Sequence, residues 1–186
     1  MIFIRSLIFF LAMLAITPVY AVACLIIFPV VKAPVRYEFV KGWNITITYL
    51  AKIICHIEYE IKGLENMNAV LDQPAIILSK HQSAWETISF IALFPKQLCF
   101  VFKRELLWIP FFGWALALLR MIHINRSKTS AASQSIASQG KKYLAQGIWI
   151  IIFPEGTRTK PGANTNYRKG GARLASATKA WVIPVA

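Results

Sequence analysis

The chain has 186 residues, of which 56% are apolar and 16% charged, and a net charge of +13. That length holds one domain with a sizeable core, and so apolar a composition points to membrane attachment. The basicity fits an anionic substrate and an anionic lipid surface; a nucleic-acid partner is not expected, because there is no basic recognition helix, zinc spacing or RNP-like motif. Cys24, Cys55 and Cys99 are odd in number and scattered through apolar stretches. They form no disulfide framework and no metal-ligand spacing, and are expected to be small buried hydrophobes in a reduced compartment.

Along the chain, the first feature is an uncharged run from Ser6 to Val31. As one helix it is long enough to cross a bilayer. Pro18 and Pro29 interrupt it, so two short apolar helices that dip in and return are the other reading. Arg5 before the run, with Lys32, Arg36 and Lys41 after it, favours the return path, since both basic ends then stay cytoplasmic. Ala21-Val22-Ala23 imitates a signal-peptide cleavage site. The apolar Leu25–Val31 that follows is a poor start for an exported protein, so the segment is expected to remain as an anchor. Residues 1–56 are therefore expected to form a membrane-associated helical segment, and 57–186 a separate α/β domain.

From residue 57 the pattern alternates. Strands are expected at Ile57–Ile61, Ala75–Leu78, Leu98–Phe102, Met121–Ile124, Ile148–Phe153 and Trp181–Val185. Helices are expected at Ala84–Phe94, around Phe111–Leu119, at Ala131–Leu144 and at Gly171–Thr178. Strands alternating with helices imply an α/β fold with a mostly parallel sheet flanked by helices. The continuous apolar runs 148–153 and 181–185 read as buried strands, and residues 161–166 as a turn-rich loop.

The chemistry concentrates where acids are scarce. Residues 73–186 carry fifteen Lys and Arg but only three acids, Glu86, Glu105 and Glu155. Glu86 lies five residues after His81, in Lys80-His81-Gln82-Ser83-Ala84-Trp85-Glu86. A histidine with a carboxylate is a general base with its orienting partner. Ser83 to Glu86 also matches a helix capping box, in which the carboxylate only reaches back to a backbone N–H. Both hold at once if His81 lies outside the helix and folds back onto Glu86. Lys80 is the adjacent cation expected to keep His81 neutral.

Phe153-Pro154-Glu155-Gly156-Thr157-Arg158 follows an apolar strand, and ligands of open α/β sheets gather at strand carboxyl ends. Gly156 permits a tight turn, and Arg158 offers forked donors to a phosphate. Lys103 with Arg104, and Asn125 with Arg126, also follow expected strands. With Arg158 these cations compose one basic pocket.

These motifs resemble the glycerolipid acyltransferases, and specifically the bacterial 1-acylglycerol-3-phosphate acyltransferases. The family's His-x4-Asp block corresponds to His81 through Glu86, its second block to Met121–Arg126 and its third to Phe153–Thr159. Its fourth, a short apolar strand with a proline, corresponds to Val182–Ala186. Glu86 replaces the usual Asp and places the carboxylate one methylene further out. The sequence ends inside the fourth block, so a C-terminally truncated chain is expected. The resemblance implies transfer of an acyl group from acyl-CoA or acyl-carrier protein to the sn-2 hydroxyl of lysophosphatidic acid, giving phosphatidic acid. It implies His81 as general base, Glu86 as its partner, and Arg158, Lys103 and Arg126 holding the phosphate with Glu155, Gly156 and Thr157 shaping the loop. No metal or cofactor is implied. The expected location is the bacterial inner membrane with the site facing the cytoplasm, among membrane lipids. Other acceptors, such as glycerol-3-phosphate or another lyso-lipid, and a non-catalytic lipid-binding role are the alternatives.

Overall fold

The computed structural model describes residues 1–125, 129–163 and 165–186. They form two compact units, each built from separate stretches of chain. One comprises Met1–Lys62, Thr87–Leu93 and Leu107–Leu119; the other comprises Gly63–Glu86, Phe94–Leu106 and Arg120–Ala186.

The first unit is helical. Helix α1 (Ile2–Ile27) runs unbroken through Pro18, whereas Pro29 falls in the turn beyond its end. The uncharged run is therefore one long helix rather than two short ones: a single proline removes one hydrogen bond, and flanking turns sustain the rest. Its returning partner is α2 (Ala33–Cys55), which opens with a proline in its first turn, where no N–H is needed. The two helices meet at Phe39, whose ring lies 5.3 Å from Tyr20 and 6.2 Å from Phe28, the latter edge to face. Buried Asn44 and Thr48 of α2 are satisfied within the helix, donating to Val40 O at 2.9 Å and Asn44 O at 2.8 Å. Helix α5 (Phe112–Ala117) packs on α1 through Ala115, Cys24 and Phe28. Arg36 clamps this corner, donating to Val31 O at 3.0 Å and to Leu118 O at 3.1 Å.

Residues 57–61 are not a strand. The alternation of Ile57, Tyr59 and Ile61 with Glu58 and Glu60 has the period of one, but the segment pairs with no sheet and all three apolar side chains are exposed. Period-two patterning yields a strand only when a neighbour accepts its backbone groups.

The second unit holds five parallel strands in the order β3-β2-β4-β1-β5: β1 (Ala75–Ser79), β2 (Leu98–Lys103), β3 (Ile122–Ile124), β4 (Trp149–Ile152) and β5 (Trp181–Val185). Helix α3 (Leu64–Asn68) precedes β1, and α4 (Trp85–Leu93), α6 (Thr129–Leu144) and α7 (Gly170–Thr178) lie between strands in the chain, with Thr87–Leu93 of α4 counted in the first unit. Ile76, Cys99, Ile122, Ile150, Leu144 and Leu174 share one buried core. Burial of Cys99 pushes its thiol up to about 12, so it is inert as a nucleophile. Strand β4 is buried throughout, as its unbroken apolar run implies. Strand β5 is not: it is an edge strand, with Trp181 57% exposed. The edge also explains Pro184, since only there is a missing N–H tolerated in a sheet.

Two glycines set how closely the helices approach. A Cβ on Gly171 of α7 would stand 2.5 Å from Leu78 Cδ2 of β1. One on Gly140 of α6 would meet both Leu174 methyls at 2.9 and 3.0 Å and Ile150 Cδ1 at 3.1 Å. Alanine favours a helix over glycine by about 1 kcal/mol, yet overpacking a core costs about 1–3 kcal/mol. Gly140→Ala should therefore lower the melting temperature. Gly42→Ala in α2, where the nearest atom is 3.9 Å away, should hold or raise it; thermal unfolding in detergent reads both.

Candidate active site

Because every strand is parallel, all five carboxyl ends open on one edge of the sheet, and β1 and β4 are neighbours with Leu78 opposite Ile152. The chain leaving β4 and the chain leaving β1 therefore emerge side by side. Phe153 stacks flat on the His81 imidazole, centroids 3.9 Å apart and planes 14° from parallel. Thr159, at the end of the Glu-Gly-Thr-Arg turn, donates its N–H to the His81 carbonyl at 2.8 Å and its hydroxyl at 3.3 Å. Lys80 N–H donates to Val185 O at 3.0 Å, fixing the other side of the loop against β5. The histidine is held by its backbone and by one ring face.

Glu86 serves as both cap and partner. Its carboxylate accepts the N–H of Gln82 at 3.0 Å and of Ser83 at 3.1 Å, together with the Ser83 hydroxyl at 3.2 Å. Ser83 Oγ in turn accepts the N–H of Trp85 at 2.9 Å. This capping box bends the loop so that His81 Nδ1 lies 3.5 Å from Glu86 Oε2. That distance is an electrostatic contact, long for a hydrogen bond, and Nδ1 has no closer acceptor among the described residues. A shortening on substrate binding is ordinary for such pairs.

The titration of both groups follows from these contacts. Burial is the largest influence on His81 and lowers its pKa below the usual 6.5; the charge of Arg158 lowers it further, while Glu86 and then Glu155 oppose the fall. The cation whose charge lowers the ring pKa is thus Arg158, not the sequence neighbour Lys80. Burial alone would raise the Glu86 pKa, but the backbone donors of Glu86, Gln82 and Ser83 outweigh it, so the carboxylate is held below its ordinary value. At neutral pH the pair is a neutral imidazole beside a carboxylate, which is the state a general base requires.

The Glu155–Arg158 turn is tight. Gly156 adopts φ +69° and donates its N–H to Phe153 O at 2.9 Å. Thr157 and Arg158 are exposed at its tip. Glu155 is 7% exposed, and neither of its oxygens accepts a hydrogen bond from the described residues. Lys103 ends β2 at the same edge, two strands from His81, roughly 10 Å across the sheet by ordinary strand spacing. Arg126 lies outside the described residues.

The sequence pattern did not single out Arg168. Its N–H donates to Pro154 O at 2.8 Å. Its Nε lies 2.6 Å, and its Cζ 3.1 Å, from where a Gly156 Cβ would stand. Glycine is needed at 156 both for its φ and because the guanidinium occupies the side-chain space. A separation of twelve positions in sequence hid this contact.

The acyltransferase family profile matches residues 58–186. A 1-acyl-sn-glycerol-3-phosphate acyltransferase of Pseudomonas aeruginosa is 42% identical over 184 residues, covering 98% of this chain and 70% of that protein. The protein of the same name from Cocos nucifera is 31% identical, covering 95% of this chain and 55% of its own length. The crystal structure of the 1-acyl-sn-glycerophosphate acyltransferase PlsC from Thermotoga maritima superposes with a TM-score of 0.69 at 22% identity, covering 97% of this chain and 73% of that one; it shares the fold. With its histidine, carboxylate and Glu-Gly-Thr-Arg turn assembled on one sheet edge inside the matched region, the chain belongs to the acyltransferase family.

Proposed function

We propose that this chain acylates the sn-2 hydroxyl of lysophosphatidic acid, with acyl-CoA or acyl-carrier protein as donor, to give phosphatidic acid. The observation that carries the reading is the lowered, Glu86-facing His81 bonded through its carbonyl to the Glu-Gly-Thr-Arg turn. The names of the Pseudomonas and Cocos relatives support the acceptor.

In this reading His81 Nε2 takes the hydroxyl proton as the acceptor oxygen attacks the thioester carbonyl. Glu86 orients the ring through Nδ1 and stabilises the imidazolium that forms. When the tetrahedral intermediate collapses, the C–S bond breaks and the imidazolium returns the proton to the thiolate, leaving His81 neutral again. The thioester carries the activation, so no cofactor enters. General base catalysis of this kind contributes about 10²–10⁴-fold.

Arg158, at the tip of the turn, and Arg168, against Gly156, are the proposed grip on the acceptor's phosphate, with Lys103 along the edge. The buried Glu155 side chain accepts no hydrogen bond from the described residues, and burial without a partner is costly, so a donor from the bound acceptor would relieve it. Helix α1 is long and apolar enough to cross a membrane, which supports membrane attachment; the proposed location is the inner membrane with the site on the cytoplasmic side.

Two predictions follow from the charges around His81. Activity of the base is lost as pH falls through the His81 pKa, so kcat/KM should rise from acid pH and level off. Arg158→Ala removes a lowering influence and should move the midpoint of that rise up; Glu86→Gln removes a raising one and should move it down while cutting the plateau. Comparing variants on one acceptor cancels the acceptor's own phosphate titration, which falls near pH 6. Shifts in the same direction would refute the assignment.

Headgroup recognition is tested separately. Arg158→Ala and Arg168→Ala should each cut kcat/KM by about tenfold on lysophosphatidic acid, the scale of losing a hydrogen bond to a charged group. Both should be far milder on uncharged monoacylglycerol, and lysine at either position should recover part of the loss. His81→Ala should damage both acceptors alike.

A further inference from the structure

The fourteen residues Leu106–Leu119 carry no charge and play no part in the site described above. Lys103 and Arg104 precede them and Arg120 follows, with Glu105 the single acid nearby. Inside this stretch the exposures are 75% for Trp108, 44% for Ile109, 49% for Phe111, 42% for Phe112 and 49% for Trp114. Scattered exposed apolar side chains are normal on a protein surface, whereas five large ones within seven positions mark an interaction surface.

The backbone is shaped to display them. Phe112 N–H donates to Pro110 O at 2.7 Å across Phe111, which sits at φ 62° and ψ −59°. This is the rare form of γ-turn, strained for a bulky residue. Strain of this kind costs on the order of 1–3 kcal/mol and persists only where surrounding structure imposes it. Here it is imposed from the C-terminal side: Gly113 N–H bonds Ile109 O at 2.8 Å and Ala115 N–H bonds Phe111 O at 2.9 Å, starting α5 directly behind the turn. Phe111 rests its ring against Trp114, centroids 5.4 Å apart, and both rings, with Phe112 at the start of α5, remain exposed.

Three observations choose the occupant of this surface. Helix α5 is fixed to α1 through Ala115, Cys24 and Phe28, so the tip belongs to the same compact unit as the one helix among the described residues that is apolar and long enough for a membrane. Tryptophans stand at both ends of the apolar group, and tryptophan concentrates at the headgroup level of bilayers. The flanking charges in the sequence are almost all positive, which complements anionic lipid but would face like charge in a symmetric contact with a second copy.

We propose that Trp108–Trp114 is a second membrane-inserting element, separate from α1. It buries Phe111 and Phe112 in the acyl region of an anionic leaflet, with Trp108 and Trp114 at the headgroups. The proposal does not depend on the acceptor or on the acyl-transfer reading.

The test uses the full chain with its three cysteines replaced by alanine. Single cysteines at 111 and, separately, at the more exposed position 108 carry an environment-sensitive fluorophore, and a third at Leu14 reports on α1. The protein is reconstituted into phosphatidylcholine vesicles with or without phosphatidylglycerol. In anionic vesicles the labels at 111 and 108 should shift to the blue and be quenched by spin-labelled lipids, at 111 by acyl-chain labels more than by headgroup labels. Phe111→Asp, with the label kept at 108, should reduce that quenching on the order of tenfold, because a charge opposes burial in the acyl region. Water-exposed labels at both 111 and 108 in protein whose Leu14 label is lipid-embedded would overturn the proposal. So would a blue shift that depends on protein concentration and occurs without lipid, which would assign the surface to self-association.

Discussion

The site depends on the parallel pairing of β1 with β4. Adjacent strands lie about 4.8 Å apart, so two loops leaving neighbouring parallel ends must share space, and the register decides which residues meet. With Leu78 opposite Ile152, Phe153 lies under the His81 ring and Thr159 reaches the His81 carbonyl. Packing behind the sheet maintains that register. Gly171 lets α7 press on Leu78, Gly140 lets α6 press on Ile150 and Leu174, and both helices bury the core that β1 and β4 share. Two blocks far apart in sequence thus become one site, joined by the hydrogen bonds of the Thr159 N–H and hydroxyl to the His81 carbonyl and by the stacking of Phe153 on the ring.

The electrostatics follow from the same geometry. Burial against Phe153 makes the imidazolium expensive, and the Arg158 charge arriving with the β4 loop makes it more so. Glu86 pulls the other way, but not enough to offset burial and Arg158. Its own carboxylate stays ionised because the capping box supplies backbone donors. Helix cap and histidine neighbour are therefore one side chain: the hydrogen bonds that start α4 are also those that keep Glu86 charged.

Much of this was legible in the sequence because the signals were local. The five strands and four helices from residue 75 onward lie where their apolar runs place them, and the Ser83–Glu86 spacing announced both the cap and the pair. The errors arose where a neighbour decides the outcome. Ile57–Ile61 has strand periodicity but no strand beside it. Strand β5 has a buried strand's composition but an edge position. Pro18 does not end α1, because long apolar turns on both sides sustain the helix. The cation influencing His81 comes from the chain leaving the adjacent strand rather than from the next residue, and Arg168 is invisible until the turn at Gly156 is built. Charge and contact across a sheet edge are set by topology, which short-range pattern does not encode.

The central claim is that His81 is held neutral, with its Nδ1–H toward Glu86 and Nε2 free to accept a proton. Nitrogen-15 NMR of histidine-labelled protein in detergent, with His81→Asn used to assign its resonances, measures both features directly. The account predicts a neutral His81 at pH 7 with the proton on Nδ1, titrating below the ordinary 6.5. A protonated ring at pH 7, or a neutral ring with its proton on Nε2, would contradict it.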